Sequence, residues 1–193
     1  MQDAPLDMRM DQSAALTAKD VVNGWGQDEL KRIRWQYGEE RYSGLIAAAI
    51  VRERGQAPIE TTGRLEEIIR AAMPAKARRE KQHPAKRSFQ AIRIAVNDEL
   101  GEVERLLTHA LELQNPGGRL AVISFHSLED RLVKTAFAQW AKGCTCPPDF
   151  PVCVCGKTPR ARLVGRRPIT ADEKELSDNP RARSAKLRIA EKI

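Results

Sequence analysis

Apolar residues recur at helical spacing through roughly the first 114 residues, and a continuous apolar run appears only after residue 115. Residues 1–15, with Pro5 and alternating acidic and methionine positions, read as an irregular lead-in. Thr17 and Asp20 form a capping box ahead of Val21 and Val22. Between Gln27 and Tyr37 stand Leu30, Ile33 and Trp35, with Gly38 placed to terminate that helix. Glu39 to Arg54 carries Tyr42, Leu45, Ile46, Ala49 and Ile50 as one stripe, broken by Gly55 and Pro58. Thr62 caps a further helix through Leu65, Ile68 and Ile69, which ends near Pro74. The pattern predicts a bundle of short helices in which Trp25, Trp35 and Tyr42 belong to the core rather than to a base-stacking surface.

A basic connector, residues 76–87, leads into the clearest helix. Phe89, Ile92, Val96, Leu100, Val103, Leu107 and Ala110 keep one stripe in register for about six turns. Asn115-Pro116-Gly117-Gly118 stops it, and Leu120 to Phe125 then reads as a strand buried on both faces. Ser127 with Asp130 offers a second capping box, followed by Leu128, Leu132, Val133 and Phe137. Helix, tight turn, buried strand and helix is the order of a parallel α/β sheet. Weaker strands fall at 162–165 and 184–193, with a short helix capped by Thr170 and Glu173 and stopped by Asn179-Pro180. A parallel sheet needs more strands than these, so the chain is either mostly helical with a small sheet or part of a larger fold. No G-x-G-x-x-G and no Walker loop occurs to hold a nucleotide cofactor.

Charge changes the picture more than composition does. A net charge of +7 and a pI of about 9.5 favour an anionic partner such as nucleic acid. No apolar run reaches the roughly 20 residues that span a bilayer, and the N-terminus lacks the apolar core of a signal peptide. A cytoplasmic address and no membrane partner follow by default. Cys144, Cys146, Cys153 and Cys155 lie in a Cys-rich loop, residues 143–157, spaced C-x-C, six residues, C-x-C. In a reducing compartment, four clustered thiols suggest a tetrahedral zinc ion. The competing reading is a proline-rich loop with free or partly oxidised thiols, because the spacing is not the usual C-x-x-C.

Five runs then carry a specific resemblance: PLDMRMDQ (5–12), YGEERY (37–42), HPAKRSFQAIRIAVNDEL (83–100), PGGRLAVISFHSLEDR (116–131) and NPRARSAKLRIAE (179–191). In this order they resemble the bacterial MraW (RsmH) family of ribosomal RNA small-subunit methyltransferases. The resemblance covers the chain apart from the cysteine loop, which departs from the family pattern. It implies a class I, Rossmann-like methyltransferase that uses S-adenosylmethionine to methylate N4 of a cytidine in the decoding region of 16S rRNA, with the small ribosomal subunit as partner. It also implies a partial methyltransferase sheet, residues 1–15 and 83–193, interrupted by an inserted all-helical domain, residues 16–82. The family's glycine-rich cofactor loop and ribose-binding acid lie upstream of PLDMRMDQ, so no cofactor-binding residue is assigned here. The chain by itself is expected to transfer no methyl group.

A cytosine amine is a weak nucleophile, because its lone pair is delocalised into the ring. The base has to be extruded and the amine aligned in a small polar pocket with oxygen acceptors. Ligands in doubly wound sheets sit beyond the carboxyl ends of strands, which points to His126 and Ser127 as catalytic candidates. Asp7, Arg9, His126, Glu129, Asp130, Arg181 and Arg183 are the candidate RNA contacts. They are joined by Lys76, Arg78, Arg79, Lys81, Lys86 and Arg87 in the connector and by Arg160, Arg162, Arg166 and Arg167 near the cysteine loop. Each has a plain structural reading beside it: a cap for His126 or Ser127, a favourable charge in a first helical turn for Glu129 and Asp130, an internal ion pair for Asp7 and Arg9, and a solvated charge for each cation. The alternative function is a non-enzymatic RNA-binding helical module with a zinc loop; a third keeps the enzyme and makes DNA cytosine its substrate.

Overall fold

A computed structural model describes residues 3–79, 83–147, 151–152 and 154–193. The chain forms two compact units, Met1–Glu99 and Leu100–Ile193.

The first unit is helical: α1 (Ala18–Gly24), α2 (Gln27–Gln36), α3 (Ser43–Arg54), α4 (Thr62–Ala72), the single-turn α5 (Ala75–Arg78) and α6 (Lys86–Asn97). The capping box at Thr17 and Asp20 forms as the sequence predicts. The cap of α4 is Thr61 rather than Thr62, because the Thr61 hydroxyl reaches the amide of Arg64. The core gathers Val21, Leu30, Ile33, Ile46, Ile50, Leu65 and Ile69 with Ile92 and Val96 of α6. The lead-in docks on this core. Leu6 is buried, its amide donates to Glu60, and Pro5 bridges Thr61.

Two aromatic expectations separate here. Trp25 and Tyr42 pack against the core, but Trp35 is 62% exposed and is not a core residue. One helical turn places Ile33 and Arg34 inward, and Trp35 faces away from both.

The YGEERY run is a corner, not the start of a helix, so α3 begins at Ser43. Glu39 has φ of 48°, and Glu40 turns back with its amide on the carbonyl of Arg34, 3.0 Å away. Gly38 is required there: a Cβ would lie 2.6 Å from the Arg87 carbonyl oxygen and 2.8 Å from that of Arg34. Gln90 and Arg87 of α6 donate to the carbonyls of Tyr37 and Glu39. Inside the corner Arg34 is fully buried, with one nitrogen on the Leu30 carbonyl at 2.8 Å. Burial pushes its guanidinium down to about 10, opposed by the nearby Glu40 carboxylate.

The long helix read from Phe89 to Ala110 is two helices. Asp98 adopts φ 47° and ψ 37°, ending α6, and α7 runs over Glu99–Ala110. The apolar stripe keeps its spacing across the break but serves two cores. Phe89, Ile92 and Val96 join the first, while Val103 and Leu107 join the second. Arg93 and Glu99 clamp the junction with paired bonds of 2.7 and 2.9 Å.

The second unit holds β1 (Arg119–Ser124), α8 (Ser127–Ala141), β2 (Ala161–Leu163), α9 (Glu173–Asp178), a 3-10 turn (Pro180–Ser184) and β3 (Lys186–Lys192). The sheet is antiparallel throughout its described strands, in the order β1-β3-β2, which corrects the parallel arrangement predicted from strand–helix alternation. Leu120 and Val122 lie on the α8 side with Leu107, Leu111, Val133, Phe137 and Ala190. The expected burial of β1 on both faces is not found, since Ile123 is 58% exposed. A run apolar at every position reads the same whether one face or two is covered. The helix cap near residue 170 is Asp172, not Thr170, with Glu175 as the amide it accepts from.

Candidate functional site

In the second unit, β1 ends at Ser124 and α8 starts three residues later. The cap between them is His126, not Ser127. Its Nδ1 accepts from the Glu129 amide at 3.3 Å, while Glu129 Oε2 accepts from the amides of Phe125 and His126 at 2.8 and 3.2 Å. The other imidazole nitrogen is 3.3 Å from Glu129 Oε1. The capping box therefore sits one residue earlier than Ser127 and Asp130 suggested, and engages both His126 and Glu129 in shaping the strand end. Ser127 is exposed in the first turn, and Phe125 is 56% exposed at the carboxyl end of β1.

Asp130 faces inward. Arg188 Nε donates to Oδ1 at 2.6 Å and Nη2 to Oδ2 at 3.2 Å, and Lys186 Nζ lies 3.2 Å from Oδ2. These cations, Arg188 first, hold its carboxyl below the usual carboxylate range. Asp130 thus ties α8 to β3. On the opposite face of the sheet Glu191 accepts from Arg119 and Arg162, each at 2.9 Å, and these bonds to Arg119 and Arg162 hold its carboxyl down.

Other cations of this unit stay exposed. Arg181 and Arg183 lie on the 3-10 turn, where only the Arg181 backbone amide is capped, by Asn179. Among the described residues neither side chain has a carboxylate partner. Arg166 and Arg167 are exposed on the loop after β2 and line a small cleft, about 100 Å³, with Lys134, Phe137 and Arg188. Arg160 reaches Glu112 at 3.5 Å.

In the first unit the DMRMD run folds on itself. Arg9 pairs with Asp7 through two bonds of 2.8 Å and also donates to the carbonyls of Gln12 and Ala14. Met8 between them has φ of 64°. The Arg9 side-chain bond, with the Arg9 amide, pulls the Asp7 carboxyl down to about 2. Asp11 accepts from the amide and hydroxyl of Ser13. These side chains brace a loop. In the connector, Lys76, Arg78 and Arg79 are exposed, Arg87 is bonded to the corner, and Lys81 lies outside the described residues.

One feature escaped the pattern reading. A cleft of about 530 Å³ is lined by Ala4, Met8, Thr62, His83, Lys86, Phe89, Gln90 and Arg93. Lys86, Phe89, Gln90 and Arg93 stand at helical spacing on one side of α6. That mixture of cations, amide and ring was the available signal. Periodicity assigns the ring to the core and the cations to solvent, so it does not register the groove where they meet.

The Cys-rich loop joins α8 to β2. Cys144, Cys146 and Cys155 bring their sulfurs within 4.8 Å of one another, and Cys153 lies outside the described residues. No helix among the described residues is long and apolar enough to cross a membrane.

The junction between β1 and α8 is not shaped as a glycine-rich nucleotide loop. It carries no glycine, and the amides of Phe125, His126 and Glu129 are taken up by the side chains of Glu129 and His126.

Known proteins narrow the reading. The model of the MraW methylase family matches residues 1–193. The chain is similar to the ribosomal RNA small subunit methyltransferase H of Symbiobacterium thermophilum, 63% identical over 99% of this chain and 60% of that protein. It is also similar to the proteins of the same description from a Paenibacillus species, at 60% identity over 99% and 60% of the two lengths, and from Geobacter sulfurreducens, at 56% over 100% and 62%. The chain spans about three-fifths of the length of these relatives. With its whole length matched by the family model, the chain belongs to the MraW methylase family.

Proposed function

We propose that this chain is the RNA-holding part of an S-adenosylmethionine-dependent ribosomal RNA methyltransferase acting on N4 of a cytidine in the decoding region of 16S rRNA. The observation that carries the reading is the similarity, up to 63% identity across 99% of the chain, to proteins described as ribosomal RNA small subunit methyltransferase H. The methyl-donor site belongs to the part of the relatives' length that this chain does not span, so no step through the donor is assigned to residues here. The exposed Ala121 and Ile123 face of β1 suits a larger methyltransferase sheet, with residues 16–82 as the inserted helical domain.

Within that reading the observed geometry sorts the candidates. Arg181, Arg183, Arg166 and Arg167 are exposed and contact phosphates. The cleft beside α6 receives an unpaired nucleotide, its base against Phe89 and its phosphate near Lys86. His126 and Glu129 act as positioning residues that hold the carboxyl end of β1, with Phe125 and Ser127 facing the target base. Asp7, Arg9 and Asp130 brace these surfaces.

The test uses the chain joined to the remaining part of a relative. Small ribosomal subunits lacking the modification are incubated with labelled S-adenosylmethionine, and the digested RNA is analysed for methylated nucleosides. N4-methylcytidine in the small-subunit RNA is expected; a different methylated base, or preferred incorporation into duplex DNA, overturns the assignment. RNA binding with no methyl transfer by the joined protein supports the binding-module alternative.

A further inference from the structure

We propose that Cys144, Cys146 and Cys155 hold a zinc ion that closes the loop between α8 and β2. The proposal does not rest on the methyltransferase reading.

Distance is the first argument. The sulfurs of Cys144 and Cys155 are 3.7 Å apart. A disulfide would require about 2.05 Å. Two thiolates on a tetrahedral zinc, each about 2.3 Å from the metal, stand about 3.8 Å apart. The third sulfur, of Cys146, completes a group whose members all lie within 4.8 Å of one another.

The backbone around the thiols is the second. The amide of Thr145 donates to Cys155 Sγ and the amide of Cys146 to Cys144 Sγ, both at 3.4 Å. Such N–H donors stabilise negative charge on sulfur and orient it toward a metal. Gly156, with φ of 61°, turns the chain away directly after Cys155.

Val152 and Val154 are exposed, and no helix or strand occurs among the loop's described residues. Among its described residues, apolar burial therefore does not hold it in place. Its ends are nevertheless fixed, with the Arg160 amide on the Trp140 carbonyl at 2.8 Å. A cross-link at the thiols supplies the missing order. Zinc displaces one proton from each thiol and needs no oxidant or reductant. The remaining coordination position is open to water or a fourth protein donor.

The experiment is a metal analysis of the chain purified under reducing conditions without chelator, followed by cobalt titration of the apo-protein. One zinc per chain and an intense sulfur-to-cobalt charge-transfer band are expected. Cys144→Ser, Cys146→Ser and Cys155→Ser should each weaken cobalt binding at least tenfold. Alkylation should be slow at these three cysteines until zinc is chelated. A metal-free chain that develops no charge-transfer band overturns the proposal, as does wild-type affinity in the three variants. Because alkylation protection is read on the unaltered chain, the outcome does not depend on whether a serine variant folds.

Discussion

At the scale of single residues, the side chains with the most suggestive sequence context are engaged in holding the backbone. His126 illustrates it. Its position beyond a strand end suits a substrate contact, yet its ring accepts the Glu129 amide and caps α8. His126→Ala should cost about 1 kcal/mol of stability through the lost cap, and His126→Asn should recover most of it, read in a denaturant melt. A variant as stable as wild type would show that the cap contributes nothing. Asp7 gives a pH prediction. Its folded value near 2 lies below the ordinary 3.8, so its contribution is complete above pH 3.8 and is lost as the pH falls through about 2. Asp7→Asn should therefore lower the stability plateau and flatten that acid limb, leaving the slope of the profile above pH 5 or so unchanged. An unchanged acid limb would place the effect elsewhere. Gly38→Ala should cost roughly 1–3 kcal/mol, because the new methyl meets two backbone oxygens that cannot swing away.

At the scale of elements, legibility depended on whether the local signal and the packing partner agreed. The stripe of α4 and the capping box of α1 were readable because each is decided within one helix, whereas the α2 stripe held for Leu30 and Ile33 but not for Trp35. The α6–α7 break was not. Leu100, Val103 and Leu107 continue the spacing of Ile92 and Val96, and periodicity is blind to which core each turn enters. Asp98 was the only local hint, as a residue type that tolerates the left-handed region. Asp98→Ile should lose about 1–2 kcal/mol through steric conflict at that φ, while Asp98→Gly should keep the break. Far-ultraviolet circular dichroism and a melt of the two variants would check it; equal stability would mean that the backbone there is not strained. Strand direction was likewise misread, because β3, the neighbour that decides it, lies more than sixty residues from β1.

At the scale of the whole chain, a charge of +7 becomes specific only when internal partners are subtracted. Arg9, Arg93, Arg119, Arg162 and Arg188 are bound to carboxylates, whereas Arg181 and Arg183 are exposed on one short turn. Replacing both with alanine should lower the slope of log affinity against log salt by about 2 for small-subunit RNA. Melting behaviour should be unchanged. A slope equal to wild type in a filter-binding series would remove these residues from the interface.

The amino-acid sequence by itself determined the family, the helical character of the first unit, the existence and approximate place of the three strands, and the thiol cluster as a chemical possibility. These are properties of local spacing, composition and ordered motifs, and they survive without knowledge of neighbours. Only the tertiary structure decided which charges are occupied, where Trp35 points, that α6 and α7 serve separate cores, and that β1 runs antiparallel to β3 with one face exposed. It also brought the sulfurs of Cys144 and Cys155 to 3.7 Å and opened the cleft beside α6. The physical reason is common to all of these. Each depends on a partner distant in sequence or on a surface left uncovered, and a local pattern of apolar and polar positions records neither.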